Sequence, residues 1–402
     1  MNNTYILLFS IIEQMIEELN PWWFGEIDLD VLCYEGLKYK IYPKWIDQLS
    51  LEPFSLNFVI GPRRVGKTMG VKLLIDRLTK GHNSYSIFYF SCELLEDYKD
   101  LINVLKEYIR IKKNKGIKSS FIFLDEVCLV EDWWRALKYM IDSHKVDHDV
   151  LTILSSSSIL LNQSFETFAG RMGKGKSIEV LPLTFKDFYE LFYRDLFDDL
   201  AIELFEKYIK IGGYLSVLNN RLRLDDLISL IKLDIRKIDR STDIAKDILF
   251  EIYKKAPSPF SYHSIAKDLG ISVNTVRDYI EILKNMFLLN EIKFKGLDGK
   301  VYTRKEKKFV IRDPFMARAI ALWSRATLKK DFLYEWIVQE HLYRKYGEIY
   351  YYRNKYEIDC ISGPLKIEVK AGKPHRKYPK DVIVLGEEDI PRFLIEMFEN
   401  QG

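Results

Sequence analysis

Histidine and cysteine are scarce in this sequence, at six and four of its 402 residues. The cysteines, Cys33, Cys92, Cys128 and Cys360, are scattered and show no metal-ligand spacing. That excludes a zinc ribbon or a disulfide framework, and they read as buried free thiols of a reducing compartment. The close histidine pair, His144 and His148 beside Asp147 and Asp149, lies in a polar stretch and reads as a solvated helix end or loop, not a metal clasp. Long apolar runs are missing too. The run Tyr5–Ile12 has no basic segment before it and falls short of the ~20 residues of a membrane span, so neither a signal peptide nor an anchor is expected. The expected location is the cytoplasm. Net charge is nearly absent, at +3, so any polyanion partner must be met by local clusters. With 48% hydrophobic and 30% charged residues the chain is globular, and long enough for about two to four domains.

What the sequence does contain is a complete phosphate-binding loop, Gly61-Pro62-Arg63-Arg64-Val65-Gly66-Lys67-Thr68, running into Met69. The apolar run Phe58-Val59-Ile60 precedes it and a helix-like segment, Met69–Leu78, follows, which is the context such a loop needs. Glycines let the backbone wrap round phosphates, and a helix N-terminus turns its free N–H groups toward them. Lys67 is placed to reach the β- and γ-phosphates and Thr68 to ligate Mg²⁺. Phe121-Ile-Phe-Leu-Asp125-Glu126 has the form of a buried parallel strand ending in two acids. Asp125 is expected to hold the metal, and Glu126 to polarise the attacking water. Ser155–Ser158 close a later strand, as hydroxyls that could sense the γ-phosphate. Arg171 is a candidate for charge stabilisation during transfer. Strand candidates at Leu56–Ile60, Ser86–Phe90, Phe121–Leu124, Leu151–Leu154 and Ile178–Leu181 alternate with helical patterns, which predicts a three-layer α/β parallel sheet.

Beyond Leu183 the pattern turns helical and aromatic (Phe185, Phe188, Phe192, Tyr193), with a turn at Gly212-Gly213, and reads as a helical lid. Ala266, Gly270 and Val276 have the spacing of a tight helix-turn-helix, with Ser272 capping the second helix and Asn274, Thr275 and Arg277 outward. Lys293–Lys308 carries seven Lys or Arg against two acids around a Gly296–Gly299 turn, a basic hairpin of the kind that lies along DNA phosphates. In the tail, Glu335 lies on an amphipathic helix. Asp359 precedes a Gly363-Pro364 turn, and Glu368 and Lys370 share a strand face. Such convergence is a candidate second Mg²⁺ site for phosphodiester cleavage. The expected division is an N-terminal arm (1–45), P-loop core (46–181), helical lid (182–241), winged helix (242–312) and endonuclease-like tail (313–402).

The ordered set resembles a family of prokaryotic, notably archaeal, AAA-type (STAND-like) P-loop ATPases with a winged helix and a C-terminal PD-(D/E)xK restriction-endonuclease-like domain. The residues that carry the resemblance are Gly61–Thr68, Leu124-Asp125-Glu126, Trp134 with Leu137-Lys138, Ser155–Ser158, Gly170-Arg171, Asp313-Pro314, Tyr352-Arg353, Glu357-x-Asp359 and Ile367-Glu368-Val369-Lys370. They span about Asn20 to Lys370. The family's G-G-x-P turn appears as Gly212-Gly213-Tyr214-Leu215, without its proline. The resemblance implies ATP as ligand and an ASCE-type sheet; the residues alone leave GTP open. The leading expectation is a Mg²⁺-dependent ATPase acting on DNA or a DNA-bound partner. Alternatives are an ATP-regulated nuclease and a nucleotide-gated DNA-binding regulator. A protein partner and an oligomeric assembly both stay open.

Overall fold

The computed structural model describes residues 12–156, 168–193, 195–354, 356–370 and 378–399. The chain divides into two compact units, 1–181 and 182–402. Residues 1–11, with most of the run Tyr5–Ile12, and the serines Ser157 and Ser158 lie outside the described residues. Among the described residues no helix is long and apolar enough to cross a membrane.

The first unit is built on five strands: β1 (Ser55–Ile60), β2 (Ile87–Ser91), β3 (Phe121–Asp125), β4 (Val150–Ser155) and β5 (Ser177–Glu179). Their order is β2-β3-β4-β1-β5, all parallel. Strands β1 to β4 are apolar and buried on both faces, the state of a parallel sheet covered by its crossover helices. Those helices are α2 (Lys67–Thr79), α3 (Tyr98–Asn114) and α4 (Trp133–Asp142), preceded by a short α1 (Leu29–Glu35). Strand β4 sits between β1 and β3, so the loop after β1 and the acids after β3 flank the end of β4.

Strand β2 is an edge strand, and side chains of the N-terminal segment complete its outer hydrogen bonds. Asn20 brackets Tyr89, its amide nitrogen donating to the carbonyl at 2.9 Å and its oxygen accepting the N–H at 2.7 Å. The indoles of Trp22 and Trp23 both donate to the Ile87 carbonyl at 2.9 Å. This is why two large aromatics follow Asn20-Pro21: each buries its ring and still satisfies its N–H.

The second unit begins with helices α5 (Phe185–Glu190), α6 (Asp198–Ile211) and α7 (Leu224–Lys237). Phe185, Phe188 and Tyr189 are buried, and the Gly212-Gly213 turn packs on Leu183 and Asp313. Next come α8 (Thr242–Lys255), α9 (Tyr262–Leu269) and α10 (Val273–Asn285), then strands β6 (Leu289–Lys295), β7 (Val301–Tyr302) and β8 (Lys308–Ile311). Ser272 caps α10 by accepting the Thr275 amide at 3.0 Å. Helices α11 (Pro314–Ser324) and α12 (Lys330–Tyr346) lead to β9 (Tyr350–Arg353), β10 (Glu357–Ser362), β11 (Leu365–Lys370) and β12 (Ile383–Gly386), closed by α13 (Asp389–Glu399). The sheet order is β12-β11-β10-β9-β6-β7, with β8 paired to β6. The hairpin strand β6 therefore continues the tail's own sheet, through the parallel pairs Lys293–Tyr350 and Phe294–Tyr351.

Candidate active site

The loop Gly61–Gly66 leaves β1 at its carboxyl end. A Cβ at Gly61 would stand 1.9 Å from the Val180 carbonyl, so only glycine passes there. Gly66 turns at φ +98° and delivers the chain into α2, whose first residues are Lys67 and Thr68. Lys67 is buried, and its ammonium donates to the Gly61 and Pro62 carbonyls at 2.8 and 2.9 Å. Burial lowers its pKa, with Glu126 and Asp125 acting in the opposite direction. Arg64 turns at φ +65°, while Val65 and Met69 rest on the core.

Thr68 Oγ1 donates to Asp125 Oδ2 at 2.6 Å. The hydroxyl and carboxylate assigned to the metal are thus adjacent, one from each side of the site. Burial raises the Asp125 pKa, and the bonds from Thr68 and Tyr89 oppose that rise. Tyr89 is a site residue to which none of the motifs points. Its hydroxyl donates to the same Asp125 oxygen at 2.9 Å, and the Lys72 ammonium lies 3.7 Å from its ring centroid while pairing with Asp28 at 2.7 Å. A tyrosine hydroxyl at the centre of the otherwise apolar stretch Ile87–Phe90 is its one mark in the sequence.

Glu126 follows β3 in a left-handed turn, φ +48°, which swings its carboxylate toward β4. Ser156 Oγ donates to its Oε2 at 2.9 Å, Cys128 Sγ lies 3.6 Å from that oxygen, and Arg63 Nη1 stands 3.8 Å from Oε1. Burial pushes the Cys128 thiol up to about 11. The structure therefore brings Gly61, Arg63, Lys67, Thr68, Asp125, Glu126 and Ser156 to one edge of the sheet, where open α/β folds bind ligands.

Arg171 is not among them. Its guanidinium pairs with Asp142, at the end of α4, at 2.8 Å. The adjoining residues bond to the start of β1, Leu56 N–H donating to Met172 and Lys174 N–H to Phe54. Arg171 thus lies by the amino ends of the strands, the opposite edge from its own chain's phosphate loop, and that expectation is corrected. Two smaller corrections concern thiols and histidine. Cys33 is exposed and Cys128 only half-buried. His144 pairs with Asp147 at 2.8 Å, whereas Asp149 is buried against Lys112 and Ser120.

The tail acids converge differently from expectation. Glu335 and Asp359 meet, but around the ammonium of Lys308, with Glu357 as the third carboxylate. Lys308 closes the stretch expected to form the basic hairpin; it is buried and not available to a DNA backbone. Glu368 is bonded instead to Lys370 and to the Tyr378 hydroxyl, the latter at 3.0 Å. Burial, reinforced by Asp359, raises the pKa of Glu335 and of Glu368, while the Lys308 and Lys370 ammonium groups respectively favour their ionised forms. The same acids hold Lys308 well above its ordinary pKa against the cost of burial. These residues do not fit a divalent ion held by Glu335, Asp359 and Glu368.

Residues 54–189 match the sequence profile described as an AAA domain, and residues 202–327 match a domain of unknown function, DUF8612. An uncharacterized protein of Haemophilus influenzae is 26% identical over 282 residues, 65% of this chain and 68% of its own length. Among solved structures, the ORC2 protein of Aeropyrum pernix in ADPNP–ADP complexes overlays with a TM-score of 0.40 at 12% identity, covering 67% of this chain and 88% of its own. The RuvB Holliday junction branch migration motor of Thermotoga maritima gives 0.27 at 17% identity, covering 74% and 91%. At these scores the overlays are loose, and strand order and loop chemistry place the domain. Residues 54–189 thus match an AAA domain and carry a P-loop at the edge of a five-stranded parallel sheet.

Proposed function

We propose that the chain is a Mg²⁺-dependent ATPase whose turnover is coupled to DNA or to a DNA-bound partner through residues 242–312, read as a winged helix. The observation that carries the hydrolytic part is the single cluster Lys67, Thr68, Asp125, Glu126 and Ser156 at the carboxyl edge of the sheet. Bound Mg²⁺–ATP supplies the transferable phosphoryl group and the cation that offsets its charge. Loop amides and Lys67 would hold the phosphates, the ammonium giving up its carbonyl partners to do so. Thr68 and Asp125 present adjacent oxygens to the cation, with Tyr89 steadying Asp125. Ser156 anchors Glu126 Oε2, which directs Oε1 toward a water whose proton it can accept.

Coupling to DNA is supported by shape and charge. Asn274 and Arg277 are exposed on α10, and Lys293, Lys300, Arg304 and Lys305 are exposed on the hairpin. An exposed helix beside a basic hairpin suits phosphate contact. The nuclease alternative is not carried forward, because a lysine stands in the acid centre.

The test is steady-state ATP hydrolysis with Mg²⁺, with and without duplex DNA, using Lys67→Ala as the blank. A rise on adding DNA that fades with salt is the expected result. Hydrolysis indifferent to DNA would instead make the chain a protein-facing switch. Negligible turnover with ATP-dependent, sequence-selective binding would make it a nucleotide-gated regulator.

A further inference from the structure

The acid centre of the second unit is assembled from three separate elements. Glu335 comes from α12, Glu357 and Asp359 from β10, and Lys308 is the first residue of β8. Lys308 Nζ stands 2.8 Å from Glu335, 3.0 Å from Glu357 and 2.7 Å from Asp359. An ammonium has three N–H donors, and three carboxylates take all of them. The nitrogen thus fills the point on which the acids converge, where a hard cation would sit at ~2.0–2.6 Å from each oxygen.

The surrounding bonds commit the acids further, although the buried Gln339 Oε1 itself accepts no bond among the described residues. Gln339, one turn beyond Glu335, donates to Glu335 Oε1 at 2.8 Å and to the Asp359 carbonyl at 3.1 Å. The second oxygen of Asp359 accepts the Val369 amide at 3.0 Å. Both oxygens of Asp359 are therefore committed within the protein. A divalent ion could enter only by displacing Lys308, and the displaced ammonium would have to leave a strand whose four residues are all buried. Leaving that charge buried without its acids is the most costly arrangement open to it.

We propose that Lys308 is the resident cation of this centre, that the centre takes no divalent metal, and that it fastens the hairpin strand β8 to helix α12 and strand β10. The carboxylates then serve as a three-way ion latch within the second unit. A purely apolar contact at this point would not select one lysine on one strand, whereas three converging acids do.

The test uses the full-length chain carrying Asp125→Asn, which removes the metal site of the phosphate loop. It is titrated with Mn²⁺, free ion being read by electron paramagnetic resonance. With Lys308 intact, no ion is expected to bind at millimolar Mn²⁺. Adding Lys308→Met should create one bound ion per chain, lost again with Asp359→Asn. Mn²⁺ bound while Lys308 is present, and lost with Asp359→Asn, would overturn the proposal. So would a folded Lys308→Met chain that gains no ion. If that variant is too unstable to titrate, its melting temperature is read instead. A rise with Mn²⁺ that the Lys308 parent lacks supports the latch, and no rise overturns it.

Discussion

The two units each bring lysine and carboxylates together in a buried place, and they join them in opposite ways. At the phosphate loop, Lys67 is bonded to main-chain carbonyls, and the acids are served by neutral hydroxyls: Thr68 and Tyr89 on Asp125, Ser156 on Glu126. In the tail, Lys308 is bonded to the acids themselves. The first arrangement keeps Lys67 itself off the acids, whose cationic neighbour Arg63 stands 3.8 Å from Glu126, and holds each group by partners that a phosphate and a cation can replace. The second satisfies the charges internally. A count of acids and lysines in a motif does not tell these two arrangements apart; the bonding partner of the lysine does.

The largest effects should come from breaking the first site. Glu126→Gln should lower hydrolysis by ~10²–10⁴-fold while leaving ATP binding, because the group lost is the proton acceptor and not a phosphate ligand. Single-turnover kinetics beside fluorescent-nucleotide titration separates the two, and lost binding would mean that Glu126 is a ligand. The matched pair Lys67→Met and Lys308→Met then tests the contrast directly. Lys67→Met should abolish turnover at a stability cost of no more than about 1–2 kcal/mol, since two carbonyls lose a neutralisable donor. Lys308→Met should cost about 3–5 kcal/mol in urea unfolding, since it leaves buried carboxylates uncompensated. Equal stability losses in the pair would erase the distinction.

A smaller effect sharpens the point about burial. His341 lies on the same helix as Glu335, but among the described residues no carboxylate bonds to its ring. Nε2 accepts the Phe185 amide at 2.8 Å, so the proton is on Nδ1, which donates to the Ile337 carbonyl at 2.7 Å. Burial, with Arg344 nearby, drives its pKa down to about 3. A histidine whose folded pKa lies below its unfolded value binds protons better when unfolded. Its contribution to stability is therefore present above about pH 6.5 and lost as pH falls toward 3. The loss should reach a few kcal/mol, since each tenfold difference in proton affinity between the two states is worth about 1.4 kcal/mol. Urea unfolding of the wild type and of His341→Gln between pH 7 and pH 4 checks it. The gap between the two should narrow with acid, and a constant gap would place a charged ring in the folded state.

Much of the first unit is legible in the sequence because its physics is local. Five apolar runs at regular spacing predict five strands, and loop chemistry marks the strand ends at which the candidate site gathers. What fails depends on where the chain goes between motifs. Arg171 follows β4 in sequence, but the chain returns to the start of β1 before it reaches β5, which carries the arginine to the far edge. Lys308 looks like one more cation of a basic hairpin. The hint lies in the residues after it, Phe309-Val310-Ile311, an apolar run that marks a buried strand opened by a charge. Tyr89 is hidden because a tyrosine in the middle of an apolar run is usually a matter of packing.

The bracket that Asn20, Trp22 and Trp23 place on strand β2 bears on where this domain can be cut. Those side chains stand in for a sixth strand, answering the outward N–H and C=O of Tyr89 and the outward C=O of Ile87. The AAA match begins only at residue 54. A fragment trimmed to that boundary would keep the whole phosphate-loop motif and yet expose a bare, apolar sheet edge, the kind of surface on which chains add to one another. Its failure would be insolubility, and an observer assaying only hydrolysis would mistake an unprotected edge for a dead enzyme.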